Sequence, residues 1–354
     1  MLKVGAIGGG HILTHRHLPV LKVIDGVTVS AVCDQREDIA KRVAEQFGIA
    51  RYYTSVSEML GENLDIVDVC TPPRSHIDIC TQAMERGCHV LVEKPMAMTI
   101  DEVDRMLGVA RREHVKLCVV HQNLYNPAVQ EARRLVDGGS VGKLLGARAS
   151  TFVRRDNAMC TNRAHWCHRL PGGIFFELLP HPLYLLQAFL KGIDLSCVVA
   201  KNVGASTWMI SDEVEASLGS DGAVASVRSS CNSAFHGDAL ELLGTEMGLE
   251  VDLWGRTVIR HTLRTEDPFS VGKANLRLAS QFVGILGRTV HEYATMLSGG
   301  VKISAHYGFI RAFIDSVRED QPAPTSDDEA RENVRLVAAI CEQVEQVSRG
   351  GTLN

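Results

Sequence analysis

The sequence predicts an α/β protein in two domains. Residues 1–120 form a doubly wound parallel sheet, and residues 121–354 form an α+β domain on a large open, mainly antiparallel sheet. Three observations carry this reading. Short apolar, β-branched runs alternate with helical patterns up to residue 120. Seven β-rich runs separated by glycine turns then lie between Leu144 and His261. Helical stretches from His306 to Val317 and from Ala330 to Val347 close the chain.

Lys3-Val4-Gly5-Ala6-Ile7 reads as the first strand. Gly8-Gly9-Gly10-His11-Ile12-Leu13 follows, then helical spacing through Leu18, Leu21 and Ile24. Strand, glycine turn and helix in that order are the context of a Rossmann dinucleotide fingerprint. Gly8 permits the tight turn, and Gly10 lets backbone N–H groups at the helix start, by His11 and Ile12, approach a pyrophosphate. Leu13 stands where a third glycine would serve helix–strand packing. The second strand, Val27 to Cys33, ends at Asp34. A carboxylate there accepts both ribose hydroxyls and repels a 2′-phosphate, which favours NAD, while Arg36 keeps NADP open. The plainer reading of Asp34 is a turn residue or helix N-cap.

Ile66 to Cys70 is a further strand, closed by Thr71-Pro72-Pro73, and the helix after it ends at a Gly87 C-cap. His89-Val90-Leu91-Val92 leads into Glu93-Lys94-Pro95, where proline cannot continue the ladder. This places Lys94 at the carboxyl end of a parallel strand, where open α/β sheets bind ligands. Ile100 to Glu113 is helical, and Val115 to Val120 is the last strand of a domain of ordinary size.

The chain resembles the Gfo/Idh/MocA family of NAD(P)-dependent oxidoreductases over essentially its whole length. The carriers are the Ala6–Ile12 turn, Cys70-Thr71-Pro72-Pro73-Arg74-Ser75-His76, Glu93-Lys94-Pro95, Gln122-Asn123-Leu124-Tyr125-Asn126-Pro127, and the run from Gly172-Gly173 to His181. The resemblance implies that Thr71 and Pro72 lie beside the nicotinamide, that Lys94 is catalytic, and that His181 is its acid/base partner. It adds Cys70, His76, Glu93, Lys94 and Gln122 to the cofactor contacts, and Asn123 and Tyr184 to the substrate contacts. It also implies a dimer or tetramer assembled through the second sheet. Departures from the pattern are Glu177 for an aspartate, Leu179 for a glycine, Tyr184 for an aspartate, and Leu124 for an arginine.

Glu177 and His181 are four residues apart, so on a helix starting near Phe176 to Leu178 they share one face, where carboxylate and imidazole can converge on a substrate hydroxyl as catalytic groups. Pro180 is tolerable only in the first turn of such a helix, and the alternative is a rigid loop. The Arg163-Ala164-His165-Trp166-Cys167-His168-Arg169 cluster suits a substrate: Arg163 and His165 for hydroxylated or anionic groups, Trp166 for a sugar ring. Ordinary loop residues are the alternative. Cys160, His165, Cys167 and His168 match no common closed zinc site, so no metal is expected. Leu276 to Leu297 reads as a helix for core or interface packing rather than for a membrane surface. Ser326 and Glu329 form a capping box for the last helix.

A net charge of −5 and the lack of a basic stripe argue against nucleic acid. No apolar stretch approaches a membrane span. Ten scattered cysteines suit a reducing compartment, and a first strand at residue three leaves no room for a signal peptide, so a cytoplasmic location is expected. The leading expectation is hydride transfer to or from a sugar, sugar derivative or polyol. The alternatives are a redox-neutral enzyme that uses bound NAD transiently, and a non-catalytic cofactor-binding regulator.

Overall fold

The computed structural model describes residues 1–204, 206–262, 266–297 and 300–348, and it divides into two compact units. The first comprises Met1–Gln122 with Val301–Arg335, the second Asn123–Gly300 with the segment that starts at Leu336.

In the first unit, strands β1 (Leu2–Ile7), β2 (Val27–Cys33), β3 (Arg51–Tyr53), β4 (Ile66–Val69), β5 (His89–Val92) and β6 (Leu117–Val119) form one parallel sheet in the order β3-β2-β1-β4-β5-β6. Ile7 pairs with both Cys33 and Val69, so the ends of β1, β2 and β4 lie level with one another. Both faces are covered, which is why these strands read as unbroken apolar runs. The edge strand β3 escaped the sequence reading because it is three residues long, with Arg51 and Tyr52 exposed.

Helices α1 (Leu18–Leu21), α2 (Glu37–Phe47), α3 (Val56–Met59), α4 (His76–Glu85) and α5 (Ile100–Arg112) belong to this unit. Gly87, with φ +78°, follows α4 as expected of a glycine past a helix end. The regular first helix is shorter than its apolar spacing suggests. Residues Leu13–His17 form a wide π-turn, in which the Leu18 N–H reaches back five residues to the Leu13 carbonyl. Pro19 has no N–H to close the ordinary four-residue bond, so the tighter helix starts only at α1.

The second unit contains α6 (Pro127–Asp137), β7 (Leu144–Arg154), α7 (Ala158–Thr161), α8 (Phe175–Leu178), α9 (Pro180–Gln187), β8 (Asp194–Lys201), β9 (Glu213–Ser220), β10 (Ala223–Ser233), β11 (Gly237–Gly244), β12 (Met247–Asp252), β13 (Thr257–Thr262) and α10 (Pro268–Leu297). All seven strands were expected. Their order is β13-β12-β11-β7-β10-β9-β8, antiparallel except for the central β7–β10 pair. One buried row crosses the whole sheet: Val258, Val251, Leu240, Ala149, Val227, Ala216 and Val198. Helix α9 packs on β7, β10 and β11. Helix α10 begins eight residues before the predicted Leu276 and leaves Leu276, Phe282, Val283 and Leu286 exposed.

Helices α11 (Ala305–Arg318) and α12 (Asp327–Ser348) end the described chain. The start of α12 returns to the first sheet, where Ala330 and Val334 join its core and Arg331 pairs with Asp104. The capping box is present: the Glu329 N–H donates to Ser326 Oγ, and the Ser326 N–H donates to the Glu329 carboxylate at 3.0 Å.

Candidate active site

At the carboxyl end of β1, Gly8 has φ +94°, and a Cβ there would stand 2.6 Å from the Cys70 carbonyl oxygen. Only glycine lets the turn pass this close to the end of β4. The Gly9 N–H donates to Asp34 Oδ2 at 2.8 Å, and the Arg36 N–H donates to Oδ1 at 3.0 Å. Asp34 therefore does perform the turn task, and in doing so ties the first loop to the second. Each oxygen keeps acceptor capacity for a further donor. A Cβ on the exposed Gly10 would meet nothing within 4 Å, so the space above the turn is open to a ligand. His11 and Ile12 open the helical segment beside it. Burial, with the charges of His15 and Arg16, lowers the pKa of His11.

Cys70, Thr71 and Pro72 follow β4, with the Cys70 N–H bonded to the Ile7 carbonyl. The Ser75 hydroxyl donates to Thr71 Oγ1 at 2.8 Å. His76 is fully buried, its Nε2 2.7 Å from the Thr71 carbonyl and its Nδ1 3.0 Å from that of Pro95. It braces two turns from the inside. After β5, Glu93 is buried and Lys94 half-buried, and the Lys94–Pro95 peptide is cis. Glu93 Oε2 accepts the Lys94 N–H at 3.0 Å, while Oε1 lies 3.0 Å from His17 Nε2. Burial favours the neutral carboxyl, but the hydrogen bond and charge of His17, with the charge of Lys94, outweigh it and hold Glu93 at about 2. Gln122 Oε1 is buried without a hydrogen-bond partner among the described residues.

In the second unit, Gly172 and Gly173 both take positive φ, and a Cβ on Gly172 would lie 2.7 Å from that of Cys341. Leu179 joins α8 to α9 in helical conformation, so Glu177 and His181 stay on one helical path, with Pro180 in the first turn as expected. His181 Nδ1 lies 2.9 Å from the buried Tyr184 hydroxyl, which also accepts the Asn123 N–H at 3.4 Å. Three predicted residues thus meet: Asn123, His181 and Tyr184. The Arg163 side chain is exposed. His165 caps the short turn that holds Trp166, and its Nδ1 lies 3.1 Å from Cys167 Sγ.

Sequence reasoning missed Trp208, whose ring stands edge-on to His168 at 4.6 Å. Together with Gly172, Gly173, Ile174 and Met209 they line a pocket. Burial lowers the pKa of His168 in the pocket wall, and burial with the charge of His168 lowers that of the neighbouring His165, so both rings favour the neutral form. His17 was missed as well, since its partners are remote in sequence.

Comparison with known proteins decides the family. Residues 2–121 match the model described as the oxidoreductase family, NAD-binding Rossmann fold, and residues 129–250 match the GFO/IDH/MocA C-terminal domain. The 1,5-anhydro-D-fructose reductase of Ensifer adhaerens is 30% identical over 79% of this chain and 81% of its own length. The chain belongs to the Gfo/Idh/MocA family. Its first unit is accordingly an NAD-binding Rossmann domain, and the open space at Gly10 with the carboxylate of Asp34 suits that coenzyme. The myo-inositol 2-dehydrogenase of Thermotoga maritima is 26% identical over 56% of the chain and 58% of its own length. The chain spans about half the length of most of the named relatives it matches. The fold is shared with the WlbA dehydrogenase of Bordetella pertussis, solved with NADH and UDP-GlcNAcA: TM-score 0.77 and 20% identity over 98% of this chain and 96% of that one.

Proposed function

We propose that this chain is an NAD(P)-dependent oxidoreductase that moves a hydride between the nicotinamide and a hydroxyl- or carbonyl-bearing carbon of a sugar, sugar derivative or polyol. The observation that carries the reading is Lys94, half-buried at the carboxyl edge of the sheet that bears the glycine turn, with its main chain held by Glu93. When bound, the coenzyme supplies the hydride chemistry. The chain moves the proton: Lys94 takes it from the substrate hydroxyl in oxidation and returns it in reduction, with His181 as acid/base partner. Tyr184 orients the His181 ring through Nδ1, and Glu177 adds a carboxylate one helical turn before it.

Gly8, Gly10, His11, Ile12, Asp34 and Arg36 are assigned to the dinucleotide, and Cys70, Thr71, Pro72, His76, Glu93 and Gln122 to the walls of its nicotinamide end. Among these His76 acts from within, as a brace. Asn123, Arg163, His165, Trp166 and Tyr184 are assigned to the substrate, and the pocket beside Trp208 supports an aromatic wall for a sugar ring. Residues 1–120 then bind cofactor, and 121–354 bind substrate and assemble the oligomer. Relatives named for glucosides, myo-inositol and anhydrofructose support the substrate class.

A homodimer or homotetramer is supported by exposed apolar side chains: Val224 and Leu243 on the outer face of the second sheet, Leu276, Val283 and Leu286 on α10. Cytoplasmic residence is supported by the ten scattered cysteines, all but Cys197 buried. No described helix is long and apolar enough to cross a membrane.

The test is a panel of sugars and polyols assayed with NAD and NADP. Wild-type protein should form reduced coenzyme in proportion to product, and Lys94→Ala should lower turnover at least about a hundredfold. Undiminished turnover in Lys94→Ala would remove Lys94 from the reaction. Product without net coenzyme reduction would indicate redox-neutral chemistry.

A further inference from the structure

His17 is fully buried in the π-turn that follows the glycine loop. Its Nδ1 lies 3.0 Å from both carboxylate oxygens of Asp68 on β4, and its Nε2 lies 3.0 Å from Glu93 Oε1. An ionised carboxylate only accepts hydrogen bonds, so with both carboxylates ionised each ring nitrogen carries a hydrogen and the ring between them is an imidazolium. A neutral ring would turn a lone pair on a carboxylate oxygen with no water to relieve it. Desolvation opposes this charge, but the charges and hydrogen bonds of Asp68 and Cys70 together outweigh it and raise the pKa of His17. The other groups facing the ring are Cys70, with Sγ 3.4 Å from Nδ1, and His306, with ring centroid 6.0 Å away; the charge of Lys94 acts on Glu93 from beyond. Burial holds His306 neutral, at about 3, and its Nε2 has no hydrogen-bond partner among the described residues.

The second oxygen of Glu93 accepts the Lys94 N–H. One unbroken chain of charge-assisted hydrogen bonds therefore runs from Asp68 through His17 and Glu93 to the main chain of Lys94. We propose that His17 is a positioning residue: anchored by Asp68, it fixes the Glu93 carboxylate that holds the Lys94 backbone, and so sets where the Lys94 amine is presented. The proposal rests on the assignment of Lys94 to proton transfer. Without His17 the Glu93 carboxylate is a buried, uncompensated anion, which takes up a proton or turns away and releases the Lys94 N–H.

The experiment compares His17→Leu, His17→Gln and Glu93→Gln with wild type by three readouts: amide hydrogen exchange at Lys94, NADH affinity from nicotinamide fluorescence, and kcat and KM on the panel substrate that wild type turns over. The Lys94 amide should exchange faster in His17→Leu, and less so in His17→Gln, which keeps one donor for Glu93. Turnover should fall about ten- to hundredfold, as expected of a displaced reacting group. In the two His17 variants KM and NADH affinity should stay within about threefold, as expected when binding contacts are untouched. Wild-type exchange and turnover in folded His17→Leu would overturn the proposal. If that variant does not fold, the same result in Glu93→Gln, which keeps the shape and removes the charge, overturns it. One equivalent of zinc in the purified protein would also overturn it, since the donor atoms of His17, Glu93 and His306 all lie within 4.8 Å of one another. Full turnover in Lys94→Ala refutes the assignment of Lys94 and this proposal with it. Inactive Lys94→Ala beside an unaffected His17→Leu rejects the proposal alone.

Discussion

A single methyl group added at Gly8 or at Gly10 separates the two tasks of the glycine turn. In Gly8→Ala the new Cβ stands 2.6 Å from the Cys70 carbonyl oxygen and 2.8 Å from its carbon, main-chain atoms that cannot rotate away. The φ of +94° adds a conformational penalty. A left-handed backbone costs an L-residue about 1–2 kcal/mol, and overpacking about 1–3 kcal/mol, so Gly8→Ala should lose about 2–5 kcal/mol of stability. In Gly10→Ala the same methyl meets nothing within 4 Å. Its stability should stay within about 0.5 kcal/mol of wild type. The space it fills is the seat assigned to the pyrophosphate, where overpacking of about 1–3 kcal/mol would weaken NADH binding about 5- to 150-fold. Urea unfolding followed by circular dichroism reads the first quantity, and titration of NADH fluorescence reads the second. Gly8→Ala should fail in both, Gly10→Ala only in binding. Wild-type NADH affinity in Gly10→Ala would show that the open space is not the coenzyme's seat. Early unfolding of that variant would show that the turn is more crowded than its geometry implies.

Two further outcomes are expected. Wild type should bind NADH at least about tenfold more tightly than NADPH, because a carboxylate near a 2′-phosphate costs about 1–4 kcal/mol between water-like and surface-like dielectrics. Asp34→Ser should narrow that gap, and a wild-type preference for NADPH would refute the role given to Asp34. Stability should also depend on pH through the buried network. Glu93 titrates at about 2 instead of its ordinary 4.5, so its contribution is complete above pH 4.5 and lost as pH falls towards 2. His17 is raised above 6.5, so its contribution is complete below 6.5 and lost as pH rises through the folded value. Thermal midpoints across pH should therefore peak between these limits, with the acid arm reduced in Glu93→Gln and the alkaline arm in His17→Gln. Identical profiles in wild type and both variants would contradict the network.

Elements whose residues announce a period were legible in the sequence. The seven strands of the second sheet alternate buried and exposed positions, as in Val214, Ala216 and Leu218, and each was found. The parallel strands were found as continuous apolar runs, except β3, which is too short to show one. Local motifs transferred well, from the Ser326 and Glu329 cap to the helical path that carries Glu177 and His181. Features made by contacts distant along the chain were not legible. His17 meets Asp68 and Glu93 from 51 and 76 residues away, through strands brought side by side only in the fold. Trp208 and His168 likewise share no local pattern. The return of residues 301–335 to the first sheet brings Thr325 to the Val119 carbonyl, across 206 positions. The π-turn at Leu13–His17 follows from one missing N–H at Pro19, a local cause that apolar spacing alone conceals.

Strands β7 and β10 run in the same direction at the centre of their sheet, with β9 and β8 completing one edge. After β7 the chain must therefore travel to the far border before it can come back, and residues 155–193 make that journey. Arg163, His165, Trp166, Glu177, His181 and Tyr184 all ride on it. Apart from Asn123, Lys94 and Trp208, the side chains proposed above for the substrate thus sit on a single excursion outside the seven strands. Evolution can lengthen, shorten or rewrite this excursion to suit a new carbohydrate while the hydrogen-bonded scaffold beneath it remains untouched.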